Sequence, residues 1–108
     1  MSGDEVRVVL VTAPSVEVGA AIARALLEER RIACANLVPG IRSLYRWKGR
    51  IEDDSEVLLV LKTQASCCDA VAARVKDLHP YELPEVIALP VTEGSRAYLD
   101  WVRSESSG

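Results

Sequence analysis

Residues 32–63 read IACANLVPGIRSLYRWKGRIEDDSEVLLVLKT. Two runs of strand-forming residues flank Lys48-Gly49, and a two-residue turn ending in glycine suits a tight hairpin. The first arm runs from Ile32 to Val38, is interrupted by Pro39-Gly40 and resumes from Ile41 to Trp47. Proline cannot donate to a strand ladder, so this arm lies at a sheet edge or carries a bulge there. The return arm starts at Arg50-Ile51, crosses the polar stretch Glu52 to Glu56 and enters Val57 to Leu61, which is apolar throughout and reads as a central strand. Each arm would span roughly 50 Å if straight, at about 3.3 Å per residue. A compact domain of about 100 residues has a radius of gyration near ~13 Å. The arms must therefore overhang the body, carrying Leu44, Tyr45, Trp47 and Ile51 with them. A bare two-stranded ribbon is marginal in water and its edges invite pairing. The reading is a homo-oligomer closed by cyclic symmetry, in which another subunit covers the 32–63 hairpin. The alternative is a twisted hairpin that folds back on its own sheet.

Working outward, Val6 to Val11 (VRVVLV) is a β-branched run that reads as a central strand. Ser15 caps a helix over residues 16 to about 30, with Val18, Ile22, Ala25 and Leu26 on its apolar face. On the other side, Ser66 reads as a second N-cap, with Asp69 completing a weak capping box. Cys67, Val71, Val75 and Leu78 form one helical stripe, and Pro80 stops the helix. Val86 to Leu89, touched by Pro84 and Pro90, is a fourth strand at an edge. Ser95 caps a short last helix in which Tyr98, Trp101 and Val102 share a face. The order is strand, helix, strand, strand, helix, strand, helix. In the split βαβ arrangement, strands one and three are central, two and four lie at the edges, and the first two helices cover one face. The proline-free strands are one and three, in agreement. The class is α+β, in one domain over residues 1–108 with an ordered core of about 5–103. Met1 to Asp4 and Ser104 to Gly108 read as loose ends.

The 108 residues are 49% hydrophobic and 27% charged, which excludes disorder; with no Phe, the core rests on Val, Leu, Ile and Ala. A net charge of −3 with no basic stripe argues against a nucleic-acid partner. No apolar run reaches the ~18 residues of a membrane span, so no membrane partner is expected. The acidic start is neither a signal nor a transit peptide. Cys34, Cys67 and Cys68 are an odd set without framework spacing, read as reduced thiols of a cytoplasmic protein.

Five segments together carry a family resemblance. They are Ala33-Cys34-Ala35-Asn36-Leu37-Val38-Pro39, Ser43-Leu44-Tyr45-Arg46-Trp47-Lys48-Gly49, Lys62-Thr63, His79-Pro80-Tyr81-Glu82-Leu83-Pro84-Glu85 and Tyr98-Leu99-Asp100-Trp101-Val102. From about Val6 to Val102 the chain resembles the CutA family of divalent-cation tolerance proteins. The resemblance implies a ferredoxin-like βαββαβ fold and a homotrimer, related in architecture to PII-type signalling proteins, whose long hairpins pair with neighbouring subunits. It also implies a role in tolerance to copper and other divalent metals, and no enzymatic activity comes with it.

His79 is the only histidine. It reads either as a copper or zinc ligand, since imidazole suits both metals, or as a charged group at a helix C-terminus. Cys34 offers a soft ligand or serves as a small buried hydrophobe, and Glu85 is the matching carboxylate. Where copper-binding relatives carry a first-strand Cys and a second His, this chain has Val11 and Leu78. Cys67 falls on a buried stripe and Cys68 outside it. In the implied trimer, Tyr45, Trp47, Lys62 and Glu82 line a cleft between subunits. That cleft suits a small anionic ligand or metal complex, with Lys62 as cation and Trp47 as stacking wall; packing and an ion pair are the plainer reading. Gly19 and Gly40 are isolated, so there is no phosphate loop and no organic cofactor is expected. The functional expectation is weak binding of copper or another divalent metal by a homotrimer. The alternative is a PII-like sensor or scaffold with a small ligand in the cleft.

Overall fold

The computed structural model describes residues 4–107. Strand β1 (Val6–Ala13) leads to helix α1 (Val16–Glu28), then strands β2 (Cys34–Trp47) and β3 (Arg50–Gln64). Helix α2 (Cys68–Leu78), strand β4 (Ile87–Pro90) and helix α3 (Arg96–Glu105) complete the chain. The sheet order is β2-β3-β1-β4, with every neighbouring pair antiparallel. The two proline-free strands are central and the two proline-bearing strands are at the edges, as patterning alone requires.

Alternation assigns the two faces of this sheet. Val9, Val11, Ala13, Val57, Leu59 and Leu61 are buried and pack against Ile22 and Leu26 of α1 and Val71 and Val75 of α2. Ser15 starts α1, its hydroxyl accepting from the Val18 N–H at 3.2 Å. Arg30 ends it two residues earlier than the sequence suggests, in the left-handed region at φ 60°. Gly19 brings α1 close to the sheet, because a Cβ there would lie 3.0 Å from Leu59 Cδ1.

The intervening residues Val8, Leu10, Leu58, Val60, Ile87 and Leu89 share the other face with Thr12 and Lys62, Leu10 lying between Val60 and Ile87 and Val8 between Lys62 and Leu89. Neither α1 nor α2 covers it. Helix α3 closes only one end, where Val102 packs with Val6 and Ala33.

The hairpin turns on Lys48 and Gly49, at φ 50° and 79°, as a twisted two-residue turn needs. The register shifts between Val38 and Ile41, so Pro39-Gly40 is a bulge. The molecule measures 48 × 26 × 22 Å, its length set by the overhanging ribbon. At its end Leu44 and Ile51 are 61% and 69% exposed. The hairpin does not fold back on its own sheet.

Four local expectations fail for physical reasons. Ser66 caps nothing: β3 continues to Gln64, and a tight 3-10 turn over Ala65–Cys67 takes Ser66 inside the helical turn, leaving Cys67 as N-cap. Leu78, the last residue of α2, is exposed, and the His79 imidazole that follows it is buried instead. Tyr98 and Trp101 stack at 5.5 Å on the exposed side of α3 while Val102 points inward. The C-terminal segment is tied down: Ser106 is fully buried, and its carbonyl accepts from Gln64 Nε2 at 2.7 Å and Cys67 Sγ at 2.8 Å. Asp4 is likewise held, its carbonyl accepting from Arg103. The expectation for Met1 to Gly3 and Gly108 lies outside the described residues.

Candidate functional site

The overhanging ribbon and the irregular segment 79–86 between α2 and β4 enclose a groove of about 800 Å³. Tyr45 and Trp47 come from β2, Glu56 from β3, and Tyr81, Glu82 and Glu85 from the segment. The bulge and the period of two put Ile41, Ser43, Tyr45 and Trp47 on the face of Arg50, Glu52, Asp54 and Glu56, their cross-strand neighbours.

His79 fixes the segment. As C-cap of α2 it keeps its backbone bond to the Val75 carbonyl, then leaves the helix at φ −87° and ψ 138°. The ring turns inward and is 7% exposed. Nε2 donates to the Thr12 carbonyl at 2.7 Å, and Nδ1 accepts from the Tyr81 N–H at 3.1 Å. A carbonyl only accepts and an N–H only donates, so this pair of partners defines a neutral imidazole with its proton on Nε2. Neither ring nitrogen is free in this arrangement.

Tyr81 packs its ring on His79 at 4.5 Å and donates its hydroxyl to Glu56 Oε2 at 2.7 Å. Burial, and then the Glu56 carboxylate, push the Tyr81 phenol well above its usual range. Glu56 is only 5% exposed. Nearer the ribbon's end, Tyr45 donates to Asp54 Oδ2 at 2.6 Å, and that hydrogen bond pushes its phenol up to about 12. On the ribbon's other face Arg42 grips Asp53 through two bonds of 2.9 and 2.7 Å, holding the Asp53 carboxyl below its usual range. At the rim, Lys48 Nζ lies 3.5 Å from Glu82 Oε1 and 5.6 Å from the Trp47 ring centre.

The expected site residues fall into two places. His79, Tyr45, Trp47, Glu82 and Glu85 gather around the groove, Glu85 exposed on the segment. Cys34 and Lys62 do not. They are partners in the β2–β3 register, beside Val8 of β1, whereas His79 meets β1 at Thr12. That separates Cys34 from His79 by about 13 Å along the strands and two strand spacings across them. Lys62 is roughly 40 Å of ribbon from Trp47, which pairs with Arg50. Its ammonium donates to Asn36. One chain therefore does not bring Lys62 to the Trp47 wall.

These donors do not fit a resident metal ion within one chain. His79 is engaged at both nitrogens, Cys34 is remote, and no group of three or more His, Cys, Asp or Glu among the described residues converges on one point. The described cysteines are all free. Cys67 is buried, and burial raises the more exposed Cys68 thiol. Glu56 and Asp54 escaped the sequence reading. Their only signal was position, an acidic stretch continuing an apolar strand, and nothing local pairs Glu56 with a tyrosine 25 residues away.

An antiparallel four-stranded sheet with a long ribbon and a groove at its root describes a known class. The family model for the CutA1 divalent ion tolerance protein matches residues 7–105. A Thermus thermophilus divalent-cation tolerance protein CutA is 52% identical over 99 residues, covering 92% of this chain and 96% of its own. The human Protein CutA is 55% identical over 93 residues, 86% of this chain but 52% of its own, so the chain spans about half the length of that relative. The crystal structure of CutA1 from Oryza sativa superposes with a TM-score of 0.92 at 43% identity, covering 95% of this chain and 94% of its own. The chain belongs to the CutA1 divalent ion tolerance family. An Arabidopsis thaliana relative is named chloroplastic, so the family name carries no single cellular address. Among the described residues no helix is long and apolar enough to cross a membrane.

Proposed function

We propose that this chain serves divalent-cation tolerance as a cytoplasmic homotrimer with ferredoxin-like subunits, and that it is not an enzyme. The observation that carries the assembly is the open face of the sheet. Val8, Leu10, Leu58, Val60, Ile87 and Leu89 form an apolar surface, bordered by Thr12 and Lys62, that neither α1 nor α2 covers. Scattered exposed apolar residues are ordinary, but a contiguous sheet face of this kind marks an interface. Three copies related by a ring close such faces on one another and leave no subunit unmatched. The ribbons, with Leu44 and Ile51 bare at their ends, are the natural second contact.

Divalent ions then meet the protein as passing cargo, held weakly. The second reading, a sensor trimer in the manner of PII-type proteins, is favoured by the groove. Its size fits a small molecule, and its polar groups are already positioned by His79 and Tyr81.

Sedimentation equilibrium at micromolar concentration tests the assembly. The expected species has three times the 11.8 kDa of the chain. Leu10→Glu places a charge in the centre of the open face and should release monomer. A parent protein sedimenting as monomer would overturn this reading.

A further inference from the structure

We infer that Cys67 and Cys68 together form a capture site for a soft, two-coordinate cation of the mercuric kind, and that filling it unfastens the C-terminal end of the chain. The two thiols are consecutive and stand where the 3-10 turn Ala65–Cys67 passes into α2. Both are free. Both pack on the core of the helical layer, Cys67 as a buried member and Cys68 at its margin. That layer is on the side of the sheet away from the open face. The pair also follows the end of β3 remote from the ribbon tip at Arg50. The site is therefore separate from both surfaces through which copies of the chain would meet.

Each sulfur now serves a main-chain carbonyl. Cys67 Sγ donates to Ser106 at 2.8 Å, and Cys68 Sγ to Gln64 at 3.8 Å. A thiol is a weak donor, so both bonds are open to exchange. Cys67 is the N-cap of α2, yet its side chain makes no capping bond, so the helix does not depend on the sulfur. Burial raises the Cys68 thiol, which keeps it protonated and slow toward oxidants that attack a thiolate. A soft metal ion instead takes the sulfur by displacing its proton. Zinc needs four donors, and no group of three or more His, Cys, Asp or Glu converges among the described residues. Two sulfurs alone satisfy a cation that bonds to two ligands.

Cys68, the more exposed, meets the ion first, and Cys67 follows as it lets go of Ser106. Two S–H bonds break, two S–metal bonds form and two protons pass to solvent, with no change of oxidation state. The loss is felt at the C-terminus. Ser106 is fully buried, and its carbonyl is held by Cys67 Sγ and by Gln64 Nε2 at 2.7 Å. Gln64 Nε2 also reaches the Arg103 carbonyl at 3.0 Å, and Arg103 holds the Asp4 carbonyl. Withdrawing one of two donors from a buried carbonyl loosens this clip. The inference needs neither the trimer nor the groove, so it and the assembly can fail separately.

The experiment adds one equivalent of HgCl₂ to the reduced, full-length protein in its native assembly, with an equimolar monothiol as competitor. Electrospray mass spectrometry should find one mercury per chain in the parent and in Cys34→Ser, and a pH indicator should read two protons released per ion. Cys67→Ser and Cys68→Ala should each hold mercury on the order of a hundredfold less tightly, because the second sulfur acts at high effective concentration. Cys68→Ala, at the margin of the core, keeps the test independent of whether Cys67→Ser folds. Mercury should also speed hydrogen exchange in the peptide containing Ser106, in the parent and not in Cys68→Ala. Equal retention by Cys68→Ala, loss of retention in Cys34→Ser, release of a single proton, or unchanged exchange at Ser106 would each overturn the inference. So would equal retention of Zn²⁺.

Discussion

The imidazole of His79 donates to the main-chain carbonyl of Thr12 at 2.7 Å, and this one bond ties the exit of α2 to the end of β1. Nδ1 holds the Tyr81 N–H on the ring's other side. The only histidine of the chain is thus a structural pin between the helical layer and the groove segment.

His79→Ala should therefore lower stability by about 3 kcal/mol, since it opens a void and strips two backbone groups of their partners. Urea unfolding at fixed protein concentration measures this as a fall in midpoint with an unchanged slope. The same pair of proteins, titrated calorimetrically with Cu²⁺ and Zn²⁺, should bind equally weakly. Loss of a tight copper site in the variant would show that the ring is a ligand after all.

Tyr81→Phe removes one oxygen and leaves Glu56 in its buried position without a donor. A cost of about 1–3 kcal/mol is expected. The double variant with Glu56→Gln should recover part of it, because a neutral amide is cheaper to bury than a carboxylate. A single variant as stable as the parent would mean that water reaches Glu56 freely.

Alkaline pH should loosen the ribbon. Tyr45 keeps its proton to about 12 in the folded chain against an ordinary value of 10, because its hydroxyl donates to Asp54. Between those values the folded state holds a proton that the unfolded state has lost. The stabilisation is complete below pH 10 and is lost as pH rises through about 12. Phenolate absorbance should lag behind that of the urea-unfolded chain, and Asp54→Asn should move the Tyr45 titration back toward 10. A Tyr45 titration identical in Asp54→Asn and parent would remove the hydrogen bond as cause.

Gly19→Ala tests the closeness of α1 to the sheet. Alanine favours a helix by about 1 kcal/mol over glycine. Here its Cβ would meet Leu59 Cδ1 at 3.0 Å, and Leu59 is fully buried. A net loss of about 1–2 kcal/mol is expected from overpacking. A rise in melting temperature would show that the layers have slack.

Much of this architecture is legible in the sequence because backbone rules act locally. Pro39-Gly40 marks the bulge, Lys48-Gly49 the turn, Ser15 and Ser95 the caps, and the absence of proline from Val6–Val11 and Val57–Leu61 the central strands. The aromatic side of the groove is legible too, through Tyr45 and Trp47. What escapes is long-range or rotational. Nothing near Leu78 says that the end of the helix leaves it exposed and buries His79 instead. Nothing near Lys62 says that it lies at the far end of the ribbon from Trp47. Glu56 reads as one more acid of a solvated stretch until the fold brings Tyr81 over it.

The bulge at Pro39-Gly40 has a mechanical side. The extra residue on β2 is where the ribbon bends, and from Ile41 to Trp47 the outer ribbon is a lever about 20 Å long. Ten degrees of bend at that elbow would carry Trp47 through roughly 3–4 Å, enough to shut the groove or to spread it. The gap between Trp47 and Tyr81 is thus governed by a joint that touches neither. Variation at Pro39 or Gly40 would tune what the groove admits without altering a single residue of its lining.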